Sequence, residues 1–276
     1  MHNMDFFRDP GPNMLIPPEN EGLVIESHGS KIYGRLLLPA FANLNSTCPV
    51  VLMLHGYPGV EQNLDIAQSL RMAGFAVVHF SYRGVWGSHG YYCFSHLIED
   101  TMTVAEYIRE GAEKWRIDPD RLYVFGHSMG GFAAVNSMAA GLRVRGAVIM
   151  APCDMAHKYM FDKPAFDKLM SSQDQGYFNT PSRDYIEEDV REYAEQWLFA
   201  NAAQNLDSGV PYGFIGGALD TLTPPDRHIY PILEKLQGRG VNVKYTELCD
   251  GHTFPKSRVR LTGQIISYLK EMQENS

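Results

Sequence analysis

Several things are scarce in this chain of 276 residues, and each scarcity excludes a class of protein. Basic residues are outnumbered, 24 against 32 acidic ones, for a net charge of −8, and no lysine or arginine run stands out. A nucleic-acid groove or an anionic membrane surface is therefore not expected as a partner. No stretch approaches the ~20 consecutive apolar residues needed to cross a bilayer. The first ten residues carry Asp5, Arg8 and Asp9 and lack an apolar core of signal-peptide length, so a cytoplasmic location is expected. Only four cysteines occur, Cys48, Cys93, Cys153 and Cys249, far apart and without a Cys-x-x-Cys pair. That spacing argues against a zinc knuckle or a dense disulfide framework, and scattered thiols fit a reducing compartment. There is no internal repeat and no low-complexity segment.

What is present is the balance of an ordinary globular protein, 45% hydrophobic and 20% charged. A Pro/Gly-punctuated arm over 9–20 leads to a strand pair, 23–27 and 31–38, turning at His28-Gly29-Ser30. The continuous apolar run over 50–54 suits a strand buried on both faces of a parallel sheet. Further strands are expected at 75–80, 122–125, 146–150, 212–215 and 243–248. Helical spacing appears at 61–73, 96–115, 129–140, 226–237 and 259–272, and Asp118-Pro-Asp-Arg reads as a turn. Strands alternating with helices imply a mostly parallel sheet covered on both faces. The exception is 152–207, where strand signals disappear and large apolar residues accumulate. There Ile186, Val190, Tyr193 and Trp197 share a helix face behind Ser182 as N-cap. The expected organisation is a core domain of 1–151 and 208–276 with a helical cap inserted at 152–207.

The chemistry centres on Gly126-His-Ser128-Met-Gly130-Gly131, which joins a strand to a helix. A nucleophilic serine must project from a very tight strand-to-helix turn, and small residues two before and two after it prevent a clash. A serine hydroxyl needs a base, and His252 in Asp250-Gly-His252 follows the strand 243–248 at the carboxyl edge of the sheet, where open parallel sheets hold their sites. His127 is expected to point away and serve helix–sheet packing, and His55 to brace the loop after it. His79 and His228 read as structural. The orienting carboxylate is Asp220, directly after the strand 212–215, with Asp154 and Asp250 as rivals. The oxyanion hole requires two N–H donors: the backbone of Met129, and that of Tyr57 in His55-Gly-Tyr57-Pro-Gly.

Together with Ser81-Tyr-Arg83-Gly84, these motifs resemble the α/β-hydrolase family over nearly the whole chain. The likeness is strongest to the branch of carboxylesterases, cinnamoyl (feruloyl) esterases and prolyl-oligopeptidase-type catalytic domains. The resemblance implies an eight-stranded sheet with a cap, no cofactor and no metal. It implies a small-molecule ester as substrate, cleaved through an acyl-enzyme. Arg83 is taken as structural, with Trp86 and Trp197 as candidate pocket walls. An amino- or dipeptidase is the alternative, and a non-catalytic binding module on the same fold the less favoured one. Haloalkane dehalogenases and epoxide hydrolases carry an aspartate where Ser128 stands. Oligomeric state, including a homodimer, is left open.

Overall fold

The computed structural model describes residues 13–57, 62–171 and 176–274. Eight strands form one sheet: β1 (Glu19–Ser27), β2 (Ser30–Leu38), β3 (Cys48–Leu54), β4 (Ala76–Ser81), β5 (Ile117–His127), β6 (Gly146–Met150), β7 (Tyr212–Gly217) and β8 (Val243–Leu248). Their spatial order is β1-β2-β4-β3-β5-β6-β7-β8. β1 and β2 pair antiparallel, as do β2 and β4, and every remaining pair is parallel. The first hairpin closes through His28 (φ 46°) and Gly29 (φ 75°), two left-handed residues whose twist matches that of the flanking strands.

The helices are α1 (Leu64–Met72), α2 (Phe94–Glu110), α3 (Ala112–Trp115), α4 (Met129–Ala139), α5 (Met155–Phe161), α6 (Lys163–Met170), α7 (Arg183–Trp197), α8 (Phe199–Ala202), α9 (Pro225–His228), α10 (Tyr230–Gly238) and α11 (Arg258–Glu274). Alternation along β3 divides the interior. Val50, Leu52 and Leu54 face the core shared with α2, α4 and α10, whereas Val51 and Met53 face that shared with α1 and α11. All seven β3 side chains are buried, as expected of a strand covered on both sides.

Two details depart from the sequence expectations. Asp118-Pro-Asp-Arg does not end an element; it is absorbed into β5 as an irregularity, so that Cys48 pairs with Ile117 but Val50 with Leu122. The single helix expected over 226–237 is divided at Ile229 (φ −120°), just before Pro231, whose ring cannot occupy a helix interior. The arm before β1 lies, as far as residue 12, outside the described residues, as does Glu61 at the expected start of α1.

Between β6 and β7 the described residues form α5 to α8 and no strand that joins the sheet. Ser182 caps α7, accepting from the Tyr185 N–H at 3.0 Å. The buried face of α7 is Ile186, Val190, Ala194 and Trp197, with Tyr193 at its margin. No helix among the described residues is long and apolar enough to cross a membrane.

Candidate active site

β5 ends in a tight turn. Ser128 is held at φ 57°, ψ −117°, a conformation that L-residues rarely adopt. The surroundings over-determine it: its N–H donates to Met150 O (3.0 Å) and its carbonyl accepts from Cys153 N (2.9 Å). Glycine is required on both sides. A Cβ on Gly126 would stand 2.4 Å from Gly130 O, and one on Gly130 would stand 1.9 Å from Leu54 O. The strained serine therefore stands at the first turn of α4, where the Met129 N–H has no intrahelical partner.

Two loops at the carboxyl edge of the sheet meet it there. His252 Nε2 lies 2.9 Å from Ser128 Oγ, and His252 Nδ1 lies 2.7 Å from Asp220 Oδ2. A carboxylate only accepts, so the imidazole proton resides on Nδ1 and Nε2 is free to accept from the serine. The Asp220 side chain is fully buried and that of His252 is 16% exposed. Burial pushes the Asp220 carboxyl up, yet the hydrogen bonds from His252 and Thr223 outweigh it and bring the group down to about 2.

The rival carboxylates are occupied elsewhere. Asp154 caps α5 through the His157 N–H (2.9 Å) and also accepts from Phe199 N (2.9 Å). Burial raises its pKa to about 7. Asp250 accepts from Gly251 N (2.8 Å) and Lys256 N (2.9 Å), which braces the turn that carries His252.

The chain past β3 runs alongside the serine. A Cβ on Gly56 would approach Ser128 Cβ to 3.1 Å, a tight contact, so glycine there eases the close approach of the backbone to the serine. Pro58 and Gly59 of the same motif lie outside the described residues. His55 is buried, and its Nδ1 donates to Gly56 O at 2.9 Å. The Tyr57 ring stacks on Phe178 (centroids 4.6 Å apart, 22° between planes), and Tyr92 packs behind both. Tyr92 Oη also donates to Met129 Sδ at 3.0 Å.

The two expected pocket walls separate. Trp86 is 46% exposed, at φ 47°, with its ring 6.0 Å from that of Tyr177. With Tyr177 and Phe178 it lines a groove of about 570 Å³. Trp197 is instead only 3% exposed, perpendicular to Phe132 of α4 at 5.3 Å and stacked on Tyr193 at 4.9 Å. Its position as a pocket wall is therefore corrected: the apolar face of α7 packs inward on α2 and α5, and Trp197 belongs to the core.

Arg83 is buried. Its Nε and its backbone N–H each donate to Asp100 at 2.7 Å, and Ser27 Oγ joins the same carboxylate at 2.6 Å. The arginine thereby fastens the loop after β4 to α2 and β1.

Several site residues escaped the sequence reading. Thr223 Oγ1 donates to Asp220 Oδ2 (2.7 Å), while the Leu222 and Thr223 N–H groups donate to Asp220 Oδ1 (2.8 and 2.9 Å). The signal was local: an aspartate side chain commonly accepts from the backbone N–H two residues on, as Asp220 does from Leu222. The Lys158 ammonium donates to Leu222 O at 2.7 Å, tying α5 to the Asp220 loop. Among the described residues no group of histidine, cysteine and carboxylate side chains could hold a metal ion.

Comparison with known proteins gives the family and the fold. Residues 51–256 match the model of the alpha/beta hydrolase family. A lysophosphatidylserine lipase of Danio rerio is 32% identical over 97 residues, 34% of this chain and 24% of that protein, so the likeness spans about a quarter of the lipase. An esterase of Pyrococcus furiosus superposes with a TM-score of 0.66 at 19% identity, covering 92% of this chain and 91% of the esterase. A puromycin hydrolase superposes at 0.72 with 21% identity, over 93% of this chain and 40% of that one. At such identities the superpositions speak for the fold.

Proposed function

Since the chain belongs to the alpha/beta hydrolase family, we propose that it is a serine esterase in which Ser128 is the nucleophile, His252 the general base and Asp220 the orienting carboxylate. The observation that carries this reading is the unbroken hydrogen-bonded series from Asp220 through His252 to Ser128, at 2.7 and 2.9 Å. In the first half-reaction Ser128 Oγ bonds to the ester carbonyl carbon while its proton passes to His252 Nε2. The tetrahedral oxyanion is received by the backbone N–H groups of Met129 and Tyr57, each such donor contributing ~3–4 kcal/mol. The C–O bond to the alcohol then breaks, and His252 returns the proton to the departing oxygen. Water, deprotonated by the same imidazole, hydrolyses the acyl-enzyme and regenerates the serine.

The substrate class proposed is a small or aromatic, including hydroxycinnamoyl, carboxylic ester. The stacked Tyr57–Phe178 wall backed by Tyr92 offers flat apolar surface beside the nucleophile. The segment 152–207 serves as a cap. Its stretch 176–179 joins the loop after β4 through Tyr92 N to Asn179 O (2.8 Å), Asn179 N to Gly84 O (2.8 Å) and Asn179 Nδ2 to Gly90 O (2.8 Å). Ester is favoured over peptide because Asp154, Asp220 and Asp250 already have internal partners, which leaves none of the three to hold a substrate ammonium.

A fluorophosphonate should modify Ser128 alone, and Ser128→Ala should abolish both labelling and hydrolysis, a loss of ~10⁶ in turnover. In a panel of aryl acetates, hydroxycinnamate esters and aminoacyl anilides, the esters should dominate. Full labelling of Ser128→Ala, or equal turnover of an anilide and its matching ester, would contradict the proposal.

A further inference from the structure

His127, the residue before the nucleophile, is 2% exposed and does not simply fill space between α4 and the sheet. Its Nε2 lies 3.1 Å from the backbone carbonyl of His252, and its Nδ1 lies 3.2 Å from Asn63 Nδ2. Asn63 Oδ1 in turn accepts from both terminal nitrogens of Arg258, each at 3.1 Å. Arg258 also donates to Thr253 O (3.2 Å), and its Nε lies 2.9 Å from Asp65 Oδ2.

The proton positions along this series are fixed from both ends. A guanidinium only donates, so it holds the carbonyl end of the Asn63 amide and turns the NH₂ toward His127. An NH₂ facing Nδ1 requires that nitrogen to be an acceptor. At the other end a backbone carbonyl only accepts, so Nε2 must carry the hydrogen. Both demands select the same neutral Nε2–H tautomer. Burial, with His252 and Arg258 nearby, holds the His127 pKa down to about 3, so the ring stays neutral at physiological pH.

We propose that His127 is a positioning residue for His252. Locked as the Nε2–H tautomer by Asn63 and Arg258, it clamps the carbonyl of the residue whose imidazole faces Ser128. The turn it holds carries backbone strain, because Phe254 within it is left-handed at φ 54°. Arg258 grips the same turn directly at Thr253 and indirectly, through Asn63 and His127, at His252. An imidazole must stay within about half an ångström of its working position, and a shift of ~1 Å can cost a hundredfold in rate.

The proposal rests on the reading of His252 as the base, and its tests separate the two. With no substrate present, long-range ¹⁵N–¹H spectra of the wild type should show His127 as the Nε2–H tautomer at neutral pH. Asn63→Asp, which faces Nδ1 with an acceptor, should move the proton to Nδ1 or protonate the ring. A wild-type His127 found as the Nδ1–H tautomer or as imidazolium overturns the relay, whether or not the protein hydrolyses esters. For positioning, His127→Leu fills the site without a donor, and His127→Gln restores an N–H near the Nε2 position. His127→Leu should lower kcat by roughly thirty- to a hundredfold with KM changed less than about threefold. His127→Gln should recover to within about fivefold of the wild type. Equal kcat in the Leu and Gln variants, or a loss confined to thermal stability, refutes the positioning role. A wild type that neither labels at Ser128 nor cleaves any ester removes the hydrolase reading and leaves the tautomer result standing.

Discussion

Replacing Asp220 by asparagine exchanges one carboxylate oxygen for an NH₂ group and should reverse the direction of one proton. Asp220 Oδ1 accepts from the Leu222 and Thr223 N–H groups at 2.8 and 2.9 Å, while Oδ2 accepts from Thr223 Oγ1 and His252 Nδ1, each at 2.7 Å. In Asp220→Asn the amide oxygen must stay opposite the two backbone donors, since an NH₂ there would oppose both. The NH₂ is then forced toward His252. Thr223 Oγ1 can accommodate it by directing its own hydrogen to Ala151 O, 3.2 Å away. The imidazole cannot, unless Nδ1 gives up its proton and becomes an acceptor. The proton then lies on Nε2, aimed at Ser128 Oγ, and the ring has no lone pair left for the serine.

A wrong tautomer of this kind costs ~10⁴ in kcat, equivalent to ~5.4 kcal/mol of barrier. The fold loses only a charge-assisted hydrogen bond, ~1.5–3 kcal/mol. Steady-state hydrolysis of a chromogenic acetate and the rate of fluorophosphonate labelling measure the first, and thermal unfolding by circular dichroism measures the second. Asp154→Asn is the control, since that carboxylate binds the backbone of His157 and Phe199 and should keep activity within about tenfold. Asp220→Asn within tenfold of the wild type, or Asp154→Asn as the more damaging change, would refute the reasoning.

Trp197→Ala should behave as a core truncation, losing ~3–5 kcal/mol. At ~2.1 cal/mol/K per residue, that lowers the melting temperature by roughly 5–9 °C. The ranking of acyl groups should hold; an altered ranking at constant melting temperature would return Trp197 to the pocket. Acid should destabilise the protein at pH values well above the ordinary carboxylate range. Burial holds His55 at about 4, His79 and His127 at about 3 and His228 at about 2. The unfolded chain therefore takes up four protons near ~6.5 that the folded chain refuses, and this stability is lost as pH falls below that value. Asp154, raised to about 7, opposes them with one proton bound only when folded. Near pH 5 the difference is about three protons, at most on the order of 4 kcal/mol per pH unit. Urea midpoints measured between pH 7 and 5 check the sign; a midpoint that rises on acidification would contradict it.

The sheet and the residues proposed for catalysis were legible in the sequence because their signals are local. A strand buried on both faces must be apolar throughout, as 50–54 is, and a serine turn packed against Leu54 must carry glycines at 126 and 130. Chain order along a parallel sheet likewise sends Asp220 and His252 to the carboxyl edge near Ser128, whatever the loops do. Tertiary structure alone decided the matters that depend on distant partners. A helix stripe such as Ile186, Val190 and Trp197 shows that a face is buried, but the same stripe could cover a ligand or a neighbouring helix. Contact with Phe132 settles Trp197 as core. Three aspartates stand at comparable strand ends, and only their partners separate them: the His252 imidazole reaches Asp220, whereas Asp154 and Asp250 are held by backbone N–H groups. The series Arg258, Asn63, His127 and His252 joins residues up to 195 positions apart. Hydrogen bonds between side chains leave no periodicity in a sequence, because they depend on where the fold brings the atoms and not on how the chain is spaced.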